Sequence, residues 1–157
     1  MSDPTNVARV GRDPTAYADR TLLVSIHTRY AELILAGTKR VELRRRFDAD
    51  AAGSRMLIYA TLPTAAVIGH ARIDQVHRLP IEDIWKRHGD RASISSDDFD
   101  RYFEGVRDGC AVLLSDPKRF ASPVPLESMR AHGLAPPQSY VFLREEHHRA
   151  LIEHERN

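Results

Sequence analysis

The chain changes its hydrophobic period several times, and each change marks an element. Thr21 to Ile26, TLLVSI, is a short, mostly apolar run of the kind carried by a strand buried on both faces. It leads to Thr28, read as the cap of a helix in which Tyr30, Leu33 and Ile34 fall three and four apart. Gly37, just past the last periodic residue, ends that helix. From Lys39 onward the period becomes two: Val41 and Leu43 point one way, while Arg40, Glu42, Arg44 and Arg46 point the other. Asp48 to Ser54 is a small-residue loop placed to border a pocket. RMLIYA then reads as a second buried strand, and Pro63 breaks the run. Alternation returns with Val67, Gly69, Ala71 and Ile73 on one face and His70, Arg72 and Asp74 on the other. The small Gly69 and Ala71 imply close approach of another backbone or of a ligand.

In the second half, Pro80 opens a helix striped by Ile81, Ile84, Trp85 and His88 and closed by Gly89. Ser95 or Ser96 caps another, with Asp97 and Asp98 in its first turn and Phe99, Tyr102 and Phe103 turned inward before Gly105. GCAVLLS, about 109–115, is a buried strand, and Pro117 to Pro125 carries it to an edge or through a bend. Pro125 begins a one- or two-turn helix capped by Gly133, and Ser139 to Leu143 alternates as a final strand. These elements predict a single α+β domain over 21–143, preceded by a loose arm (1–20) that Val10 and Tyr17 can dock. A polar terminal helix (144–157) follows, anchored by Ala150, Leu151 and Ile152.

Composition narrows this picture without changing it. The 157 residues fit one domain with one core, and a formal net charge of +1 excludes a polycation of the histone kind. Affinity for nucleic acid must therefore come from local clustering, and the stretch from Lys39 to Arg46 holds five positive charges and one negative. The single cysteine, Cys110, lies in an apolar run and is expected to be an inert buried thiol. No apolar run approaches the ~18 residues of a membrane span, so a soluble, cytoplasmic protein is expected. His147, His148 and His154 invite a metal hypothesis, but His147 and His154 are seven apart among glutamates, without the i, i+4 pair and third ligand of a convincing site. No metal and no cofactor are expected.

The alternating strand is where chemistry concentrates. It presents arginines and Glu42 as a basic ledge, with Lys39 at the turn where the strand begins. Such a ledge is either a solvated charge ladder or a pocket for a phosphate-bearing ligand, with guanidinium forks for phosphate oxygens and a carboxylate for a base edge or ribose. Charge pattern alone does not choose. Tyr59 is likewise either a core aromatic or a stacking surface for a base, and His70 a half-exposed strand residue.

Spacing adds what charge does not. GTKRVELR has the form GxKxxExR after a helix with the sense Y..LIL.G, and this resembles the signature of the ASCH domain family, whose fold is similar to that of PUA domains. MLIYATLPTAAVIGHARI looks like the family's next strand pair. The Trp85 helix, ISSDDFDRYFEG and PPQSYVFL resemble longer bacterial and archaeal members catalogued as regulators associated with nucleic acid. The resemblance covers roughly 21–143 and implies a small mixed β-barrel with helices inserted between strands. It also implies a cleft between the first helix and the barrel lined by Lys39, Glu42 and Arg44. Arg40, Arg46, Tyr59, His70, Gln138 and Ser139 are further candidates for the ligand; Gln138 offers both a donor and an acceptor to a base edge.

Three functions stay open at this point. The first is a module that binds RNA or a modified nucleotide, single-stranded or flipped, with DNA as a possible partner and a regulatory role. The second is a metal-independent hydrolase in the same cleft, with Lys39 and Glu42 as a catalytic pair, or for a ribonuclease Glu42 or His70 as the base and Lys39 or Arg44 as the cation. Some members similar to this family cleave an acyl amide of a modified cytidine and others are ribonucleases. The amidase-type members carry threonine where this chain has Glu42, which favours ribonuclease chemistry within that class. The third is a protein-interaction module, since the family takes its name from a transcriptional coactivator.

Overall fold

The computed structural model describes residues 20–156, so the arm expected over 1–20 lies almost wholly outside the described residues. Strand β1 (Thr21–Ile26) leads to helix α1 (Thr28–Leu35), strand β2 (Val41–Arg44) and a 3-10 turn, Ala49–Ala51. Strands β3 (Arg55–Ala60) and β4 (Ala66–Pro80) are followed by helix α2 (Ile81–His88), a second 3-10 turn (Gly89–Arg91) and helix α3 (Ser96–Tyr102). Strand β5 (Asp108–Pro125), helix α4 (Leu126–Ala131), strand β6 (Tyr140–Phe142) and helix α5 (Glu145–Arg156) complete the chain. This is the expected α+β architecture. No helix among the described residues is long and apolar enough to cross a membrane.

The six strands form one sheet in the order β2-β5-β4-β3-β1-β6, with β1 parallel to β3 and the other pairs antiparallel. One face buries Leu22, Val24, Met56, Ile58, Ile73 and Leu114 beneath Ala31 and Ile34 of α1. Tyr140 and Phe142 of β6 pack against this same cluster. Strands from near both ends of the sheet meet in one core only if the sheet curls, which gives the barrel-like shape. The ladder itself does not close: β2 and β6 end the sheet without pairing to each other. Side chains bridge that seam. The Arg44 guanidinium donates to Ser25 O at 2.7 Å, and the rings of Phe47 and Tyr140 lie 4.6 Å apart.

The other face of β1, β3 and β4 buries Leu23, Leu57, Tyr59 and Val67 against Phe120, Met129 and Leu151, the last from α5. A third cluster joins Val41, Leu43 and Ala111 to Ile84, Phe99 and Phe103 of α2 and α3.

Several local expectations are corrected. Thr28 does not cap α1. His27 holds that position without a side-chain bond, and the Thr28 hydroxyl instead donates to Thr61 O at 2.7 Å, tying the helix start to the β3–β4 loop. Val67 lies opposite to Ala71 and Ile73, because the register slips across Ile68 and a bulge reverses the side-chain phase. Trp85 is 37% exposed and lies 4.9 Å from the Phe99 ring in place of joining the buried stripe. Gly89 does end α2 as expected, but with a helical backbone, and a Cβ there would meet the Trp85 ring at 2.9 Å. The 48–54 loop places Ala51 in the first core and Gly53 on the rim of a cavity shared with His70 and Arg72, not on the cleft lined by Glu42.

Gly37 has φ +82°, as a left-handed helix end requires, and Thr38 N and Lys39 N both donate to Leu33 O at 3.0 Å. Gly69 marks a close approach of backbones: an added Cβ would lie 2.5 Å from Lys118 O and 2.7 Å from Leu35 Cδ2. The carbonyl belongs to the ladder and cannot retreat. Gly69→Ala is therefore expected to cost about 1–3 kcal/mol. A thermal melt checks this at roughly 2–4 °C per kcal/mol.

Candidate functional site

The cleft lies at the seam of the barrel, where α1, β2 and the end of β1 meet. Alternation in β2 sends Val41 and Leu43 to the third core, and the same geometry turns Glu42 and Arg44 toward the opposite side. That side is not solvent. Lys39 is 3% exposed and Glu42 6%, so this part of the basic ledge, with Arg44, is the inner wall of a cavity of about 310 Å3.

Glu42 stands between two cations. One carboxylate oxygen lies 3.0 Å from Arg44 Nη2; the other accepts from Leu43 N at 3.2 Å and lies 3.8 Å from Lys39 Nζ. Arg44 Nη2 also donates to Ser25 O, and Nη1 to Ser139 Oγ at 3.4 Å. The Lys39 ammonium donates to Ala92 O and lies 4.8 Å from the centre of the Tyr30 ring. Burial pushes the Lys39 amine below its ordinary value. Glu42 opposes that shift and Arg44 adds to it. Burial likewise raises the Tyr102 phenol.

Of the residues singled out by sequence, Lys39, Glu42, Arg44 and Gln138 line this cavity, and Ser139 touches it through Arg44. The others lie elsewhere. Tyr59 is 5% exposed in the second core, and His70 borders a separate cavity with Arg55 and Arg72. Arg40 lines a third, next to Asp116, and Arg46 is exposed beyond the end of β2. The ledge thus divides: Glu42 and Arg44 face the cleft, Lys39 borders both the cleft and the Arg40 cavity, and Arg40 and Arg46 lie outside the cleft. Of the C-terminal histidines considered for a metal, His147 lies 3.9 Å from Glu146 and His148 contacts the Thr21 hydroxyl at 3.4 Å.

Sequence reasoning missed the aromatic walls. Tyr30 and Tyr102 both line the cavity, together with His27, Thr61 and Ile94. For Tyr102 a signal existed: Phe99 and Phe103 are four apart and share the buried face, so Tyr102 lies to one side of it. The Ala92 carbonyl carried no sequence signal, because any residue supplies one.

The comparisons agree with this architecture. The ASCH domain profile matches residues 24–121, which includes the cleft's charged wall but stops short of Gln138. The chain is 36% identical over 132 residues to a protein of Zymomonas mobilis named ASCH domain-containing ribonuclease, covering 83% of this chain and 88% of the relative. A crystal structure of ASCH from Zymomonas mobilis is similar with a TM-score of 0.81 at 32% identity, covering 85% of this chain and 94% of that one. Human THYN1, solved in complex with DNA containing 5-methylcytosine, shares the fold with a TM-score of 0.54 at 13% identity, covering 88% of this chain and 98% of that one. With its signature strand forming the wall of the cleft and the profile spanning most of the barrel, the chain belongs to the ASCH domain family.

Proposed function

We propose that this chain binds single-stranded RNA in the seam cleft and cleaves it there. One observation carries the reading: Lys39, Glu42 and Arg44 share one buried wall of a cavity that two tyrosines also line, in a chain 36% identical to a protein named as a ribonuclease. At about 310 Å3 the cavity suits a single nucleotide. Arg44 and Lys39 oppose phosphate charge, Gln138 offers a donor and an acceptor to a base edge, and a tyrosine face stacks a base for about 1–3 kcal/mol.

The chemistry such a wall supports is internal transfer. The RNA 2′-oxygen attacks the adjacent phosphorus, the bond to the 5′-oxygen breaks, and a 2′,3′-cyclic phosphate and a free 5′-hydroxyl result. Glu42 takes the proton from the 2′-hydroxyl, Lys39 returns one to the leaving 5′-oxygen, and Arg44 opposes the charge on the phosphorane. A lowered Lys39 pKa makes its ammonium a better acid. Afterwards Glu42 holds a proton and Lys39 lacks one; the two lie 3.8 Å apart, so one bridging water or exchange with solvent resets the pair.

The test uses a labelled single-stranded RNA with one internal 2′-deoxynucleotide, with and without EDTA, reading binding and cleavage from the same samples. Cleavage should leave 2′,3′-cyclic phosphate ends in both conditions and skip the deoxy position, while binding there persists and weakens with salt. Cleavage at the deoxy position would overturn the 2′-hydroxyl mechanism. A second reading, binding without turnover, is favoured by one observation: both oxygens of Glu42 already accept hydrogen bonds. Salt-sensitive binding with intact RNA would select it.

A further inference from the structure

Beneath the turn that holds Lys39 runs a chain of polar side chains that cleavage does not use. Gln75 Oε1 lies 2.6 Å from His77 Nε2, His77 Nδ1 lies 3.3 Å from His88 Nε2, and His88 Nδ1 lies 2.7 Å from Arg91 Nη2. Only one placement of protons satisfies all three contacts. A guanidinium has no acceptor, so Arg91 donates and His88 Nδ1 carries no proton. His88 then holds its proton on Nε2 and donates to His77 Nδ1. His77 in turn holds its own on Nε2 and donates to Gln75. Each ring thus accepts at Nδ1 and donates from Nε2, and the bonds run in one direction from Arg91 to Gln75.

The Arg91 end of this chain is joined to Lys39 through the main chain of the turn. Arg91 Nη2 also donates to Arg87 O at 3.3 Å, pinning the Gly89–Arg91 turn to α2. Arg40 N donates to Arg91 O at 2.9 Å, and the next carbonyl, that of Ala92, receives the Lys39 ammonium. We infer that His88 is a positioning residue for Lys39: neutral, it anchors the Arg91 guanidinium and with it the Ala92 carbonyl, and a proton on Nδ1 releases the turn. The inference rests on Lys39 being a working group of the cleft, but its test does not require turnover.

His88 is 3% exposed. The groups that bear on it are Arg87 on its own helix, Asp90 and Arg91 in the turn, and His77 on β4, whose partner on β5 is Ala111. Burial holds the imidazole below its ordinary value; Arg91, His77 and Arg87 act in the same direction, and Asp90 opposes them. The chain is therefore intact at neutral pH and breaks on the acid side of the usual histidine range. Across the window between the depressed and ordinary values the unfolded chain binds more protons, so stability falls as pH falls through it.

The experiment is an NMR titration of the Lys39 side chain in the full-length protein, compared with His88→Gln, His88→Phe and Arg91→Met. Glutamine accepts from Arg91 and donates to His77 without titrating, so His88→Gln should keep the wild-type Lys39 pKa and lose its response to acid. Arg91→Met, in a half-buried turn, keeps the protein folded even if His88→Phe does not. With the turn released, water reaches the ammonium and relieves its desolvation, so the Lys39 pKa should rise toward its ordinary value in Arg91→Met. RNA cleavage should fall about 10-fold in kcat with little change in KM, as expected of a misplaced group. A Lys39 pKa that is the same in Arg91→Met as in wild type, or lower, overturns the inference. A protein that neither binds nor cleaves RNA would sink the ribonuclease reading and leave this titration to decide the coupling.

Discussion

Lys39→Met is expected to remove RNA cleavage almost entirely, by about 100- to 10,000-fold in kcat, the loss expected when a general acid is deleted. Methionine fills the same volume among the same neighbours, so the comparison isolates the ammonium. Stability should fall by about 1–3 kcal/mol, because the buried Ala92 carbonyl loses its donor. Burial already works against the charged amine, which offsets part of that loss, and Glu42 keeps Arg44 as partner when Lys39 is gone. The same shift fixes two pH signatures. Cleavage should decline on the alkaline side at a pH below the ordinary lysine value, as the acid loses its proton. Between the depressed and the ordinary value the unfolded chain binds more protons than the folded one, so wild-type stability should rise with pH across that window. Lys39→Met should lack this rise. Initial rates and melts across pH measure both, and a Lys39→Met protein that cleaves at the wild-type rate would remove Lys39 from the chemistry.

Glu42→Gln should be as damaging to cleavage, by about 100- to 10,000-fold for loss of a general base, but with a larger loss of stability. Lys39 and Arg44 are held around one carboxylate, and its neutral replacement leaves two cations facing each other in a mostly buried wall. Removing one partner of a buried charge set typically costs about 3–5 kcal/mol. The double variant Lys39→Met, Glu42→Gln should recover part of that loss, since the repulsion needs both the lysine and the missing anion. Chemical denaturation of the four proteins gives the coupling directly. Additive losses would mean that Lys39 and Glu42 do not sense each other.

Much of this was legible in the sequence. The change of period at Gly37 marked the helix end and the strand after it, and the alternation of Val41 and Leu43 against Glu42 and Arg44 correctly separated the two faces of β2. Sequence does not show what a polar face meets. The charge pattern leaves the ledge open between solvent and pocket until the sheet curls and brings Ser25 of β1 to Arg44, a contact between residues near different ends of a hydrogen-bonded order. Tyr59 and Tyr30 show the same gap from the other direction. Both are tyrosines in apolar surroundings; the one placed in the cleft by resemblance is core, and the one assigned to a helix face lines the cleft. A bulge at Ile68 reversed one stretch of β4, which no two-residue period predicts.

The acceptor that holds Lys39 is a main-chain carbonyl, and this has a consequence for how such a site can drift. A side-chain acceptor is lost by one codon change. A carbonyl is supplied by every amino acid, so mutation at position 92 cannot delete it and can only displace it. Selection on this part of the site therefore falls on the residues that fix the path of the turn, and their identities can change in concert while the contact to Lys39 persists. Two relatives could differ at several positions around 88 to 92 and still present the same oxygen to the same ammonium.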